Sequence, residues 1–164
     1  MFNKIQRKSN METETPLSDA LKPIIEACRL VEIPRFSDIR GDLSVLDTPE
    51  LPFKVERVFW LHHVPQDVER GHHAHRSCFE LLIPVAGTFE VELSVGRWTK
   101  VFNLSEHRQG LIIPPMAWCR LRHFSPSCVA LCLASESYSP EGYIYDFEQY
   151  LQACECLDRF TYIL

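Results

Sequence analysis

Residues 73–87 read "HAHRSCFELLIPVAG", and the spacing within this stretch decides the fold. His73 and His75 are two residues apart, so on a β-strand their imidazoles project from the same face, roughly 6–7 Å apart along the strand. The neighbouring His72 would point to the opposite face, and we interpret it as structural or solvated. Glu80 and Gly87 complete the pattern. Two imidazoles and a carboxylate can hold a metal ion, transfer protons without one, or belong to a solvated loop.

The composition limits the classes of function. A chain of 164 residues is expected to form one domain with a proper core. Its 17 basic and 22 acidic side chains give a net charge of −5, which argues against binding to nucleic acid. No apolar run approaches the ~20 residues of a membrane span. The basic start leads into polar sequence without the apolar segment of a secretory signal, so we expect a cytoplasmic protein with no membrane partner. The seven cysteines lack paired CxxC spacing and are expected to be free thiols.

Short segments rich in β-branched and aromatic residues fill most of the chain after residue 28. Many of them alternate in polarity and are separated by Pro, Gly, Asp or Ser, which is typical of β-strands and turns. The segment "TFEVELSVGRWTKVFNLS" predicts a hairpin whose turn lies near Ser94–Arg97, with Gly96 free to take a positive φ. About nine such strands without intervening helices predict an all-β sandwich or barrel, most simply a jelly roll.

The two ends of the chain have a different pattern. Residues 1–27 are polar and then weakly helical, and we expect a tail that is mobile or forms a short helix on the body. Residues 28–164 are expected to be the single folded domain. Its last segment predicts an amphipathic helix that packs on the barrel, because apolar residues recur at helical spacing at Tyr143, Phe147, Tyr150, Leu151 and Cys154.

Within this β framework, the spacing H-x-H-x4-E-x6-G from His73 to Gly87 matches the first signature of the cupins. The resemblance implies an all-β cupin fold, a double-stranded β-helix or jelly roll, closed by the C-terminal amphipathic helix. The second cupin signature, G-x5-P-x-G-x2-H, is altered in "GLIIPPMAWC". There Met116 replaces the glycine and Cys119 replaces the metal-binding histidine.

The altered second signature bears on the use of the pocket. A metal cupin normally places three His and one Glu around the ion, whereas this chain retains two His, Glu80 and the thiol of Cys119. Zn²⁺ or Fe²⁺ could accept that set, so a metal site stays open as an alternative. A pocket without metal is the favoured interpretation.

Blocks outside the first signature narrow the resemblance. Over about residues 28–151, and in the same order, the chain is similar to the sugar 3,4-ketoisomerases, which act on dTDP-4-keto-6-deoxyglucose in deoxyaminosugar biosynthesis. The blocks that carry the likeness are "SDIRGDLSVLD", "PFKVERVFWL", "ERGHHAHR", "GLIIPPMAW", "HFSPSCVALCLASESY" and "GYIYDFEQYL".

This resemblance implies an isomerisation that needs no metal and no other cofactor, in which the carbonyl moves from C4 to C3 of the hexose. His73 and His75 match the catalytic HAH motif, and Glu80 would orient a histidine. The chemistry is reasonable, because a neutral imidazole with a pKa of about 6.5 can remove the acidified C3 proton. The second imidazole can carry a proton between the two oxygens or stabilise the enediolate.

The resemblance also suggests how the nucleotide is held. Arg40 in "DIRGDL" and Arg70 in "ERGHHAH" are expected to contact the pyrophosphate or the active site, because planar guanidinium groups suit phosphate. Trp118 is expected to stack on the thymine. A homodimer is expected from the family and from N-terminal strands such as "CRLVEIP", whose edges would seek a partner.

The chain departs from the family at two places. Similar enzymes often carry tyrosines in the strand that here contains Phe59 and Trp60, so no phenolic acid is expected from that strand. They often have His or Arg where Cys119 stands, and strand alternation points the next residue, Arg120, away from the pocket.

The alternatives to a ketoisomerase are a metal-dependent cupin of the dioxygenase type and a cupin that binds a nucleotide sugar without catalysis. A 3,5-epimerase is less favoured.

Overall fold

The computed structural model describes residues 19–47, 51–105 and 108–161. Over these ranges the chain forms twelve β-strands and two α-helices. The helices are α1 (Lys22–Ala27) and α2 (Phe147–Thr161), and the strands are β1 (Arg29–Glu32), β2 (Arg35–Asp38), β3 (Gly41–Ser44), β4 (Arg57–His62), β5 (Arg70–His75), β6 (Glu80–Ala86), β7 (Phe89–Val95), β8 (Trp98–Leu104), β9 (Gln109–Ile113), β10 (Trp118–Arg122), β11 (Val129–Ala134) and β12 (Tyr143–Ile144).

Ten of the strands form two five-stranded antiparallel sheets, in the orders β1-β9-β6-β11-β4 and β12-β5-β10-β7-β8. From β4 to β12, consecutive strands alternate between the two sheets in the crossing pattern of a jelly roll, except for the hairpin partners β7 and β8. The predicted all-β cupin architecture with a C-terminal helix is therefore confirmed. Strands β4 and β12 lie at the edges of their sheets, and this position matters for the site described below.

The core follows from the polarity pattern of the strands. Side chains of β7 alternate strictly between buried and half-buried, and those of β11 do the same. The first five residues of β6, Glu80–Pro84, are all buried because this strand is covered on both faces. Fully burying one leucine or valine stabilises the fold by about 1.5–3 kcal/mol, so these inward rows hold the two sheets together.

The hairpin between β7 and β8 has the predicted turn. Its tip is Gly96–Arg97, and Gly96 adopts φ +55°, a left-handed conformation that favours glycine. The backbone partners pair without a break from Val95 opposite Trp98 to Phe89 opposite Leu104.

Helix α2 is anchored through Tyr150, which is almost fully buried. Its phenolic oxygen lies 2.7 Å from the carbonyl oxygen of Ser94 and 3.1 Å from that of Met116. The ring of Trp118 packs against Phe147 and Tyr150 at centroid distances of 4.9 and 5.2 Å. The helix is thereby fixed to the β5–β10–β7 sheet.

The helical stripe predicted from Tyr143 onward needs one correction. Tyr143 lies on strand β12, and α2 begins only at Phe147, after Asp146. A carboxylate oxygen of Asp146 accepts a hydrogen bond from the backbone N–H of Gln149 at 2.8 Å, which caps the helix at this point. Within the helix Tyr150 and Cys154 are buried as expected, whereas Leu151 is largely exposed.

Residues 19–27 form a 3₁₀ turn and helix α1, and both pack on the barrel. Leu21 and Ile25 are buried in the main core beside strands β7 and β8. The part of the predicted tail before residue 19 lies outside the described residues. No helix of the described chain is long and apolar enough to cross a membrane.

Strands β2 and β3 form a separate hairpin with an apolar surface. Phe36 and Leu43 are cross-strand partners, and both are more than 60% exposed, while Ile39 at the turn is fully exposed. Arg40 shares the turn with Ile39. Isolated exposed apolar side chains are common, but a cluster at the tip of a projecting hairpin is typical of an interaction surface.

Candidate active site

Strand β5 presents both predicted histidines to the interior of the barrel. The imidazole rings of His73 and His75 lie 5.0 Å apart, centroid to centroid, and are nearly perpendicular. His75 is buried and His73 half-buried. The two-residue spacing therefore brings the rings together, as the sequence predicted.

A β-bulge at the start of β5 sets the position of these rings. Cys119 pairs with His73, but the next residue of β10, Arg120, pairs with Gly71, so His72 is the extra residue. Gly71 and His72 both adopt positive φ, at +86° and +56°. Bulges bend a strand and redirect its side chains, which is why His72 does not follow simple alternation. It is half-exposed at the cavity rim, with Nε2 3.1 Å from a carboxylate oxygen of Glu69.

Glu80, the first residue of β6, lies behind His75. Its carboxylate oxygen Oε1 is 3.1 Å from His75 Nε2 and 3.9 Å from Arg57 Nη2. Burial alone would raise the pKa of Glu80, but the close contact with His75 and the charges of both histidines outweigh it and hold the pKa below its ordinary value. A buried carboxylate thus remains ionised, and it can orient His75 and stabilise its protonated form.

Of the two histidines predicted to be catalytic, His73 is the one that lines the cavity. Burial lowers the pKa of His73 below 6.5, and the positive charge of His75 acts in the same direction, although the backbone of Gly71 partly opposes them. At neutral pH His73 is therefore predominantly neutral. A neutral imidazole is the form that can accept a proton.

Tyr143 is a site residue that the helical interpretation of the sequence missed. Strand β12 pairs with β5 so that Tyr143 lies opposite His75, and its ring is 4.3 Å from the His75 ring and 5.0 Å from the His73 ring. The ring of Tyr145 stacks parallel to it at 5.2 Å. The alternation of "GYIYD" was the available signal, since residues i and i+2 share a face on a strand.

The cavity between these elements has a volume of about 380 Å³. Its apolar wall includes Phe59 and Leu82, and its polar groups include Arg70, His73, Glu80 and Tyr143. Arg70 is exposed at the cavity and makes no hydrogen bond or ion pair with the described residues. Its guanidinium group can therefore bind an anionic part of a ligand.

Cys119 lines the same cavity, but it does not belong to the cluster of side chains whose ligand atoms lie close together there. Burial raises its pKa well above the ordinary thiol value, and the negative charge of Glu80 adds to the effect. A metal binds the thiolate rather than the thiol. The remaining candidates, His73, His75 and Glu80, each offer a ligand atom, and these atoms lie within 4.8 Å of one another. Two imidazoles and a carboxylate form a set that Zn²⁺ or Fe²⁺ accepts, so the residues present fit a metal.

Three other residues singled out in the sequence lie away from this cavity. Arg40 is fully exposed in the β2–β3 turn and forms an ion pair with Asp38. Trp118 packs on helix α2, as described above. Arg120 pairs with Glu92, as expected from its alternation with Cys119. Neither Arg40 nor Trp118 lines the cavity formed by its own chain.

Residues 26–155 match the family described as "FdtA: WxcM-like, C-terminal". The chain belongs to this family. The match covers nearly all of the folded body, including both sheets and most of helix α2. Together with the similar proteins named next, this match confirms the resemblance to the sugar 3,4-ketoisomerases that the sequence suggested.

Three named proteins resemble this chain along most of its length. A TDP-4-oxo-6-deoxy-α-D-glucose-3,4-oxoisomerase from Aneurinibacillus thermoaerophilus is 27% identical over 123 residues, 74% of this chain and 88% of that protein. The 3,4-ketoisomerase QdtA from Thermoanaerobacterium thermosaccharolyticum, solved with TDP, is 28% identical with a TM-score of 0.77, over 79% of this chain and 96% of that one. A 3,4-ketoisomerase from Helicobacter canadensis is 30% identical with a TM-score of 0.75, over 77% and 96% of the two chains.

Proposed function

We propose that this member of the FdtA family is a dTDP-4-keto-6-deoxyglucose 3,4-ketoisomerase. The observation that carries the proposal is that His73 lines one cavity, with the ring of His75 5.0 Å from its own ring and the carboxylate of Glu80 3.1 Å from His75 Nε2. The names of the similar proteins support it. QdtA has been solved with TDP, and a histidine-to-asparagine variant of QdtA has been solved with TDP-4-keto-6-deoxyglucose.

The proposed reaction is a proton-transfer isomerisation. One imidazole of the His73–His75 pair removes the proton on C3, and the electron pair of that C–H bond forms a C3=C4 double bond as the C4 carbonyl oxygen becomes an enediolate oxygen. The O3–H proton passes to O4, C3 becomes the carbonyl carbon, and C4 receives a proton from an imidazole. The net change moves the carbonyl from C4 to C3 without gain or loss of protons or electrons. Glu80 orients His75 and stabilises it when it is protonated.

The nucleotide is proposed to be held by cationic groups. Arg70 is the best placed of the predicted contacts, because it lines the cavity and has no partner among the described residues. Arg40 and Trp118 remain predictions for pyrophosphate and thymine, and their positions mean that neither reaches the cavity of its own chain.

The homodimer expected from the sequence has a candidate surface in the β2–β3 hairpin. Phe36, Ile39 and Leu43 would be covered by a second copy, which would remove an exposed apolar cluster from water. Ile39→Asp should then shift the sedimentation of the purified protein from dimer to monomer. A wild-type protein that sediments as a monomer would rule out the dimer.

The experiment that tests the proposed activity follows the sugar carbonyl by ¹³C NMR. Wild-type protein incubated with dTDP-4-keto-6-deoxyglucose should convert the C4 ketone into a C3 ketone. His73→Asn and His75→Asn should each lower the rate by at least about 100-fold, because removing a general base typically costs 10²–10⁴. Their affinity for dTDP should remain within about threefold of wild type. Binding of the sugar nucleotide without conversion would favour a non-catalytic binding protein instead.

A second candidate is a metal-dependent cupin, favoured by the proximity of ligand atoms from His73, His75 and Glu80. Metal analysis of protein purified without chelator separates the two. The isomerase proposal expects a substoichiometric metal content and the same activity after dialysis against a chelator. Stoichiometric iron or zinc whose removal abolishes activity would favour the metal enzyme.

A further inference from the structure

The cavity wall formed by β4 lacks a phenol, but a phenol reaches the cavity from another strand. Phe59 and Leu61 are the β4 residues that line this wall, and neither carries a hydroxyl group. Tyr143 of β12 borders the same cavity and contacts both imidazole rings. The phenol at this cavity is therefore supplied by β12, the edge strand of the other sheet.

The hydrogen bonding of Tyr143 leaves its proton free. Arg57 Nη2 on β4 donates to the Tyr143 oxygen at 3.2 Å and joins the facing edges of the two sheets. Arg57 cannot accept a hydrogen bond, so the phenol has to donate its own proton elsewhere. No acceptor for that proton is found among the described residues. The Tyr143 oxygen accepts a hydrogen bond from Arg57, which fixes its position. The Tyr143 O–H therefore remains able to donate to a ligand in the cavity.

We propose that Tyr143 is a third catalytic residue, which carries the proton between O4 and O3 of the sugar, and that Arg57 is its positioning residue. This inference rests on the proposed ketoisomerase function. As His73 or His75 removes the C3 proton, the Tyr143 O–H donates its proton to the developing O4 anion. The phenolate oxygen then accepts the proton of O3–H as the C3 carbonyl forms, so Tyr143 returns to its starting state. The imidazoles move the carbon-bound protons and the phenol moves the oxygen-bound proton.

The surroundings of Tyr143 suit this shuttle. Burial raises the pKa of the Tyr143 phenol, while the nearby Arg57 charge opposes that rise. The guanidinium of Arg57, 3.2 Å from the phenolic oxygen, would stabilise the short-lived phenolate anion. Tyr145 also borders the cavity, but it is mostly exposed and makes no hydrogen bond to Arg57.

The test compares Tyr143→Phe with wild type in D₂O and measures two rates by NMR. One is formation of the 3-keto product, and the other is exchange of the C3 proton in unreacted substrate. Tyr143→Phe keeps the ring that packs on both histidines, so dTDP affinity and KM should change by less than threefold. We expect kcat for product to fall at least about 100-fold, in the range usual for loss of an acid–base group. The ratio of C3 exchange to product should rise at least tenfold, because the carbanion forms but cannot complete the oxygen-to-oxygen transfer.

Two further variants control the experiment. Tyr138→Phe removes the same atom from an exposed tyrosine that does not line the cavity, and it keeps the ring that packs on Tyr143 and Arg57, so both rates should stay within twofold of wild type. Arg57→Met should raise the exchange-to-product ratio, whereas Arg57→Lys retains a donor to the phenol and should restore it. A Tyr143→Phe enzyme with kcat within threefold of wild type would overturn the inference while leaving the isomerase function intact. Equal losses of exchange, product and dTDP binding would assign Tyr143 a purely structural role, and an inactive wild type would overturn both proposals.

Discussion

The bulge in β5 should be sensitive to a single methyl group at Gly71. In Gly71→Ala, the new Cβ would lie 2.6 Å from the carbonyl oxygen of Cys119 and 3.1 Å from Cδ1 of Leu121. The residue also has φ +86°, which costs an L-amino acid about 1–2 kcal/mol. Overpacking of the neighbouring backbone adds about 1–3 kcal/mol. The free energy of unfolding should therefore fall by about 2–5 kcal/mol.

Thermal unfolding measures this effect directly. For a domain of this size, each kcal/mol lowers Tm by about 2–4 °C, so Gly71→Ala should unfold at least about 5 °C below wild type. The strain can be relieved only by flattening the bulge, which would move His73 out of its position opposite Cys119, so activity should fall as well. Gly142→Ala is the matched control, because its Cβ would have no atom within 4 Å, and its Tm should stay within about 2 °C of wild type. A Gly71→Ala protein with wild-type Tm and activity would refute the role given to the bulge.

Three further predictions follow from individual residues. Because burial lowers the pKa of His73, its neutral form persists to lower pH than usual. The acid limb of the pH profile of kcat/KM should therefore have its midpoint below pH 6.5. A midpoint above that value would contradict the assignment of His73 as a base. Because the pKa of Glu80 is lowered in the folded protein, its carboxylate stabilises the fold at pH values above its ordinary pKa of 4.5. This stabilisation is lost as the pH falls through the lowered pKa. Glu80→Gln should therefore cost about 3 kcal/mol in urea unfolding at pH 7, where Arg57 loses its buried counter-charge, and an unchanged urea midpoint would show that the pair is not coupled. Tyr150→Phe leaves the carbonyl groups of Ser94 and Met116 without their donor and should cost about 1–2 kcal/mol with kcat unchanged, whereas a large loss of kcat would link helix α2 to the site.

The sequence predicted the parts of the site that depend on strand period and spacing. His73, His75 and Glu80 came from one spaced motif, and the structure brings them together because β5 and β6 belong to facing sheets. The turn at Gly96 was also predicted, because the conformation of a tight hairpin turn depends on the few residues within it. Arg70 lies at the start of the same strand and borders the cavity.

Tyr143 was placed on the wrong element because two periods overlap at "GYIYDFEQYL". Spacings of four and seven from Tyr143 suggested a helix, while the alternation of Tyr143 and Tyr145 suggested a strand. Asp146 and Gln149 carry the sequence pattern of a helix N-cap, which predicts that the helix begins at Phe147. The helical spacing from Tyr143 onward extends over more residues than the cap pattern and therefore favoured a helix that begins too early.

Other features depend on the tertiary structure and leave little trace in sequence. The bulge that puts His72 at the rim arises from the register of β5 against β10, which no local rule specifies. The Arg57–Tyr143 hydrogen bond joins residues 86 positions apart, and it exists only because the edges of the two sheets meet. Arg40 and Trp118 were assigned from family blocks alone, and sequence blocks do not say whether a residue reaches the cavity.

The most direct test of the account is the position of deuterium after turnover in D₂O. Wild-type enzyme and dTDP-4-keto-6-deoxyglucose should give a 3-keto product that carries solvent deuterium at C4, because a histidine delivers that proton to an enediolate. His73→Asn and His75→Asn should each suppress its formation. His73→Asn and His75→Asn enzymes that both form the 3-keto product at the wild-type rate would contradict proton transfer by these histidines.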